Sequence, residues 1–138
     1  MAGYGVFAQV YDKLTLNVPY DQIAEYYDAK IRKFRDGDGN FLADAGCGTG
    51  NLTARLARLG YDVIGAEPSP DMLSEAMNKP HDGVQYICQD MTELDLYGEA
   101  DIIVSTLDSV NHLSSAADIT KFFRAAALNL RRGGLLLF

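Results

Sequence analysis

Three glycines alternate with small residues in the stretch ADAGCGTGNLT, which spans residues 43–53. Gly46, Gly48 and Gly50 give the spacing G-x-G-x-G, and such a turn lets backbone N–H groups approach a ligand with no Cβ in the way. Asp44 stands ahead of the first glycine. A carboxylate there repels a pyrophosphate but suits a ligand that carries an ammonium or sulfonium group. The alternative is that Asp44 only caps the following helix or accepts hydrogen bonds from loop amides.

A dinucleotide-binding turn is the competing interpretation of the same glycines. That turn requires G-x-G-x-x-G, which would place the third glycine at residue 51, where the chain has Asn51. The spacing therefore favours S-adenosyl-L-methionine, which carries both an ammonium and a sulfonium. Two alternatives stay open: an NAD(P)-dependent oxidoreductase, and a non-catalytic module that holds S-adenosylmethionine and transfers nothing.

Two further acids follow predicted strands. Glu67 ends the second strand, where a carboxylate can accept hydrogen bonds from both hydroxyls of a ribose. Asp90 follows the third strand, where it can accept from an adenine amino group. Met91 beside it can pack on the adenine ring and offer its backbone N–H to a ring nitrogen. Each acid taken singly can equally be a solvated loop residue, but three acids at successive strand ends indicate a nucleoside-containing ligand.

The candidates for proton transfer follow the fourth strand, in the stretch STLDSVNH of residues 105–112. His112 is the first candidate for a general base, because histidine is the residue type whose ordinary pKa lies closest to neutral pH, and Asp108 is the next candidate. The alternatives are that Asp108 caps a turn and that His112 is a packed or hydrogen-bonded loop residue. No metal site is expected, because Cys47 and Cys88 do not have metal-ligand spacing.

The elements that must position these residues alternate between strands and helices. Strands are predicted at 41–45, 62–67, 84–88 and 100–106 and in the terminal run 135–138. Amphipathic helices are predicted from Asp21 to about Phe34, after Asn51, from Ser69-Pro70-Asp71 onward, and from Ile119 to Leu130. The first of them has Ile23, Tyr27, Ile31 and Phe34 on one face, and the last is closed by Arg131-Arg132-Gly133-Gly134. The alternation predicts an α/β fold, a doubly wound Rossmann-like parallel sheet with helices on both faces, truncated after strand five. Ligands of such sheets bind beyond the carboxyl ends of the strands.

The composition of the chain limits the kinds of partner that it is expected to bind. The 138 residues suit one domain, and the formal net charge of -7 with a pI near 4.6 argues against nucleic acid and anionic membrane as partners. No apolar run approaches the length of a membrane span, and the two cysteines fit a reducing, cytoplasmic location.

From about Tyr11 to Phe138 the chain resembles a class I S-adenosylmethionine-dependent methyltransferase. The motifs that carry the resemblance are FLADAGCGTGNL, VIGAEPSPDML, YICQDM and ADIIVSTLDSVNHL, in the family's order and spacing. The segments Tyr11-Asp12-Lys13-Leu14 and Val18-Pro19-Tyr20 resemble the small-molecule-type members, in which an N-terminal aromatic segment covers the methyl donor. The resemblance implies a lid over residues 1–35 and a core over residues 41–138. It also implies donor contacts from Tyr11, Tyr20, Asp44, Ala45, Gly46, Cys47, Gly48, Gly50, Glu67, Pro68, Met72, Asp90, Met91 and Ser105.

The chain departs from the resembled family in two respects. Members that methylate amide or base nitrogens often carry an Asn/Asp-Pro-Pro-aromatic tetrad, whereas residues 105–108 read STLD. This departure favours a small-molecule acceptor. The family has seven strands with a reversed final hairpin, so we expect the C-terminal part of the core to be missing. An exposed fifth strand then predicts a homodimer through that strand.

Overall fold

The computed structural model describes residues 18–105 and 115–138. Their five strands form one parallel sheet in the order β3-β2-β1-β4-β5. The strands are β1 (Phe41–Ala45), β2 (Asp62–Ala66), β3 (Val84–Ile87), β4 (Ala100–Val104) and β5 (Leu130–Leu137). The helices are α1 (Tyr20–Phe34), α2 (Asn51–Arg58), α3 (Pro70–Met77) and α4 (Ala116–Asn129), with a 3-10 turn at Met91–Glu93.

Each face of the sheet is buried under its own layer. On one face Leu42 and Val104 pack with residues of α1 and α2, including Ile31 and Leu56. On the other face Ala43 and Ile103 pack with α4 and with the segment that contains Met91. The predicted α/β fold with helices on both faces is therefore confirmed. Within the described ranges, no helix is long and apolar enough to cross a membrane.

The strand register brings four residues into one row near the carboxyl edge of the sheet. Asp44 on β1 pairs with Val104 on β4 and with Gly65 on β2, and Gly65 in turn pairs with Tyr86 on β3. Paired residues point to the same face of a sheet. Val104 packs in the cluster beneath α2, so Asp44 and Tyr86 both lie on that face, separated by a residue without a side chain.

The sequence-based boundaries differ from the structure at the end of α4. The segment Arg131-Arg132-Gly133-Gly134 was expected to end the helix, but β5 begins directly at Leu130. Ala100 pairs with Leu130 and Ile102 with Leu135, so the four residues bulge out of the ladder. Arg131 holds the bulge against β4, because its Nε lies 2.5 Å from Asp101 Oδ1.

The buried face of α1 also differs from the expected one. Ile23, Tyr27 and Ile31 of the predicted stripe do pack in the core, but Phe34 is 59% exposed, and Tyr20 and Ala24 are buried in addition. The packing of α1 against α2 selects between these two overlapping stripes, which periodicity alone does not distinguish.

Candidate functional site

The glycine loop at residues 46–50 continues directly from β1 and stays attached to β2. The backbone N–H groups of Gly46 and Cys47 both donate to the Ala66 carbonyl, at 2.8 and 3.0 Å. Gly48 and Gly50 have φ values of 57° and 80°, which side chains with a Cβ rarely adopt. A Cβ at Gly48 would meet nothing within 4 Å, so the outer side of the loop is open. Gly50 by contrast faces the Tyr86 hydroxyl and Ala76 at close range.

Asp44 lies beneath the glycine loop, 2% exposed. The Thr53 hydroxyl on α2 donates to Asp44 Oδ2 at 2.8 Å. Burial raises the pKa of the Asp44 carboxyl to about 6, the hydrogen bond from Thr53 opposes the rise, and the charge of Glu67 adds to it. The loop therefore has a carboxyl group below it that titrates near pH 6 and is ready to pair with a cation.

Glu67 ties the glycine loop to the turn after β2. Its Oε1 accepts from the Gly48 N–H at 3.1 Å and its Oε2 from the Ser69 N–H at 3.0 Å. Burial raises the pKa of Glu67, while the two amide hydrogen bonds lower it. Each carboxylate oxygen can accept a second hydrogen bond. Glu67 thus orders the loop and retains acceptor capacity for hydroxyl groups.

Asp90 and Met91 open the segment that follows β3. Asp90 is exposed, and its Oδ1 accepts from the Thr92 N–H and hydroxyl at 2.9 and 2.8 Å. Met91 is 6% exposed and packs in the core under α4. The cap on Thr92 uses one oxygen of Asp90, so the other oxygen can accept from a ligand.

Asn129, at the end of α4, fixes the same segment from below. Its side-chain amide donates to the Leu94 carbonyl at 2.7 Å and the Ala125 carbonyl at 2.8 Å, and its Oδ1 accepts from the Leu96 N–H at 2.9 Å. Asn129 is 8% exposed, so these backbone groups have little access to water. Asn129 therefore positions the segment that begins at Asp90.

Asn129→Ala is expected to destabilise the protein by about 3 kcal/mol, because buried backbone groups at Leu94 and Leu96 lose their partner. In thermal unfolding this corresponds to a fall in Tm of about 10 °C. Asn78→Ala, at an exposed helix end, is the matched control and should change stability by less than about 0.5 kcal/mol. Equal Tm values for the two variants would contradict the role of Asn129.

Ser105 follows β4 at the same edge of the sheet. Its N–H donates to the Leu137 carbonyl at 2.9 Å, and its side chain is buried. Among the described residues its hydroxyl has no hydrogen-bond partner. A buried hydroxyl without a partner is costly, which makes Ser105 a good candidate to meet a polar ligand group. Tyr11, Asp108 and His112 lie outside the described residues, so the predictions made for them stay predictions.

The remaining predicted site residues fall into two groups. Ala45, Met72 and Tyr20 are buried, and the Tyr20 ring lies 5.3 Å from the guanidinium carbon of Arg55 on α2. Cys47 is half-buried and Pro68 is exposed. Burial, together with the charges of Asp44 and Glu67, raises the pKa of the Cys47 thiol well above its usual range. This agrees with a small loop residue rather than a reactive thiol.

Sequence reasoning missed three residues around the loop. The sequence could have indicated Thr53 as a site residue, because it is a polar residue on the buried face of the amphipathic helix α2. No sequence pattern indicated Lys79. It follows α3, and its Nζ donates to the Thr49 carbonyl at 3.0 Å. No sequence pattern indicated Tyr86 either, because only the strand register shows that it lies beside Gly65.

These residues fit S-adenosylmethionine. The open side of Gly48 admits backbone approach, the buried Asp44 suits an ammonium, and Glu67 and Asp90 have free acceptor capacity for a nucleoside. In the described parts of the chain, no three or more His, Cys, Asp or Glu side chains are grouped so as to hold a metal ion.

The sheet and the glycine loop at its carboxyl edge place this chain in the class I S-adenosylmethionine-dependent methyltransferases. The model of the methyltransferase domain family matches residues 42–134 of the chain. The chain therefore belongs to the methyltransferase domain family, and the predicted family and its cofactor S-adenosylmethionine are confirmed.

Three similar proteins show the range of the family. YqeM of Bacillus subtilis (strain 168), which carries the name of a methyltransferase, is 36% identical over 138 residues, covering 98% of this chain and 54% of its own. A ubiquinone biosynthesis O-methyltransferase of Nitrobacter winogradskyi is 31% identical, over 89% of this chain and 47% of its own. The structure of SAM-bound CalS10, an amino pentose methyltransferase from Micromonospora echinaspora, is 30% identical with a TM-score of 0.83, over 93% of this chain and 55% of its own. The chain thus spans about half the length of its relatives.

Proposed function

We propose that this chain is the donor-binding part of a methyltransferase that transfers a methyl group from S-adenosylmethionine to a small-molecule acceptor. The observation that carries the proposal is the joint placement of the open glycine loop, the buried Asp44 beneath it and Glu67 bonded to its Gly48 amide. A cationic nucleoside ligand is the chemical class that uses all three features.

Each acid has its own task in the proposal. Asp44 compensates the ammonium charge of the amino-acid end, Glu67 accepts from the ribose hydroxyls, and Asp90 accepts from the adenine amino group. The bound donor supplies a methyl group that its sulfonium has already activated. The tasks left to the protein are to align the acceptor, exclude water and take up a proton where the acceptor requires it. Asp108 and His112 are retained as candidates for that last task.

The kind of acceptor is inferred from the sequence and from the relatives. A small-molecule acceptor is supported by the acidic net charge and by the residues STLD at 105–108. It is also supported by the relatives, which include a ubiquinone biosynthesis O-methyltransferase and an amino pentose methyltransferase. A lid over residues 1–35, a cytoplasmic location and a homodimer complete the proposal.

Two other functions make different predictions for ligand binding. An oxidoreductase would prefer NADH, although Asn51 stands where its third glycine is required. A non-catalytic module would bind S-adenosylhomocysteine but turn over none of a broad panel of acceptors.

The protein is expected to be stabilised by S-adenosylhomocysteine and not by NADH or ATP. At 100 times its dissociation constant a ligand adds about 2.7 kcal/mol to the free energy of unfolding, which thermal shift measurements detect readily. NADH is the control that matters most, since it shares the nucleoside but carries a pyrophosphate. Stabilisation by NADH alone would overturn the proposed function.

A further inference from the structure

Lys79 connects the end of α3 to the second half of the glycine loop. Its Nζ donates to the Thr49 carbonyl at 3.0 Å and to Asn51 Oδ1 at 3.4 Å. The backbone of this half-buried residue is itself held on both sides. The Lys79 N–H donates to the Ala76 carbonyl at 3.2 Å, and the Lys79 carbonyl accepts from His81 Nδ1 at 2.8 Å. The ammonium therefore has a defined place beside the loop.

The close approach of α3 to the loop depends on Gly50. A Cβ at Gly50 would lie 3.1 Å from the Cβ of Ala76, so the missing side chain lets the end of α3 come near the loop. This brings Lys79, three residues beyond Ala76, within reach of the Thr49 carbonyl. Asn51 stands where a dinucleotide-binding turn requires its third glycine, and its side chain is the second acceptor for Lys79.

The contact fixes the orientation of the peptide group between Thr49 and Gly50. In a planar trans peptide the carbonyl and the N–H point in opposite directions. Because the Thr49 carbonyl is held toward Lys79, the Gly50 N–H is turned the other way, and it donates to the Cys47 carbonyl at 3.1 Å. This bond closes a turn of residues 47–50, and Gly48 lies within that turn with its open side outward.

The two halves of the glycine loop have different anchors. β2 and Glu67 hold the first half through backbone N–H groups, whereas Lys79 holds the second half through a carbonyl. The second half leads into α2, whose Thr53 donates to Asp44. In the proposed function Asp44 pairs with the ammonium of the donor. The second half of the loop therefore lies toward the amino-acid end of the donor.

We propose that Lys79 is a positioning residue for the methyl donor, which keeps the second half of the glycine loop in the shape that receives the amino-acid end. Without the ammonium, the peptide group after Thr49 can adopt other orientations. The binding-competent shape is then only a fraction of the population, and the apparent affinity falls by that fraction. The inference rests on the proposed function, because it assigns Lys79 a task in binding the donor.

The test is calorimetric titration with S-adenosylhomocysteine and with methylthioadenosine, which has the same nucleoside and a thioether sulfur but lacks the amino-acid end. Lys79→Met keeps an unbranched apolar stem and removes the ammonium. It is expected to weaken the binding of S-adenosylhomocysteine by about tenfold and that of methylthioadenosine by less than about twofold. A general loss of stability would not change the ratio of the two affinities.

Lys33→Met is the matched control. Lys33 is exposed in the last turn of α1, which leads to β1 at the amino edge of the sheet, away from the glycine loop. The substitution removes the same charge, and both affinities should be retained.

A second variant keeps the inference open to refutation if Lys79→Met folds poorly. Asn51→Ala removes only the second acceptor of Lys79 and should weaken the binding of S-adenosylhomocysteine by about threefold. The double variant should bind no more weakly than Lys79→Met alone, because Asn51 acts through Lys79. An unchanged affinity for S-adenosylhomocysteine in Lys79→Met, or an equal loss for both ligands, would overturn the inference and leave the proposed function intact. A wild-type protein that does not bind S-adenosylhomocysteine would overturn both.

Discussion

Gly48→Ala is expected to weaken the binding of S-adenosylhomocysteine by about 100-fold or more while the protein still folds. The added Cβ meets no protein atom within 4 Å, so it projects into the open side of the glycine loop. That space is where the proposed donor approaches the backbone. The φ of 57° is tolerated by alanine at a cost of about 1–2 kcal/mol, which lowers stability but leaves the protein folded. Isothermal titration and a thermal scan of the variant measure the two effects separately.

Gly60→Ala is the matched control for this substitution. Gly60 also has a positive φ, 108°, and open space around its Cβ position, but it lies just before β2 at the amino edge of the sheet. Its less favourable φ should cost at least as much stability, whereas ligand affinity should be retained. If both variants lost affinity in proportion to their loss of stability, the glycine loop would not be the binding surface.

Asp44→Asn is expected to weaken S-adenosylhomocysteine binding by about 10- to 100-fold near neutral pH, because an ammonium loses its buried counter-charge. In the wild-type protein the affinity should fall as the pH drops below about 6, by up to tenfold per pH unit, since the ligand must then displace a proton from the carboxyl. The Asp44→Asn variant should not show this loss of affinity at acid pH. Titrations in two buffers of different ionisation enthalpy would also detect the proton released on binding.

The same carboxyl affects stability in the opposite direction. Its pKa of about 6 lies above the usual 3.8, so between these values the folded protein binds more protons than the unfolded one. The contribution of Asp44 to the free energy of unfolding therefore falls, by about 3 kcal/mol, as the pH rises from about 4 to about 6. Asp44→Asn removes this dependence and should be at least as stable as the wild type at pH 7.5.

Acid strengthens the fold through Asp44 yet weakens binding, so a stability profile recorded over the same pH range separates a loss of affinity from acid unfolding. Asp62→Asn is a suitable control, since Asp62 is exposed at the amino end of β2. It should alter neither profile. An Asp44→Asn variant that binds as the wild type does across this range would remove Asp44 from the proposed site.

Several local features were predictable because their causes are local. Gly48 and Gly50 adopt positive φ values that the alternating glycines anticipate, and Ser69 with Pro70 begins α3 as capping rules require. The alternation of strands and amphipathic helices also predicted the α/β sheet. Such patterns depend on neighbours within a few residues.

The details of the site depend on partners that are distant in the sequence. The sequence indicated Glu67 as a candidate for binding a ribose, but it did not indicate that its two oxygens also accept hydrogen bonds from the amides of Gly48 and Ser69. Asn129 reaches Leu94 across 35 positions of the chain. No local pattern predicts these contacts, because they depend on which strands are neighbours and in what register.

By itself, the sequence determined the class of sheet, the glycine loop at its carboxyl edge and the acids at the strand ends, since backbone sterics and side-chain period act locally. Only the tertiary structure decided that Asp44, Gly65 and Tyr86 share one row. It also decided that Asp44 is buried deeply enough for its pKa to rise to about 6. Desolvation and strand register are properties of the packed whole, because both are set by atoms that other segments of the chain contribute.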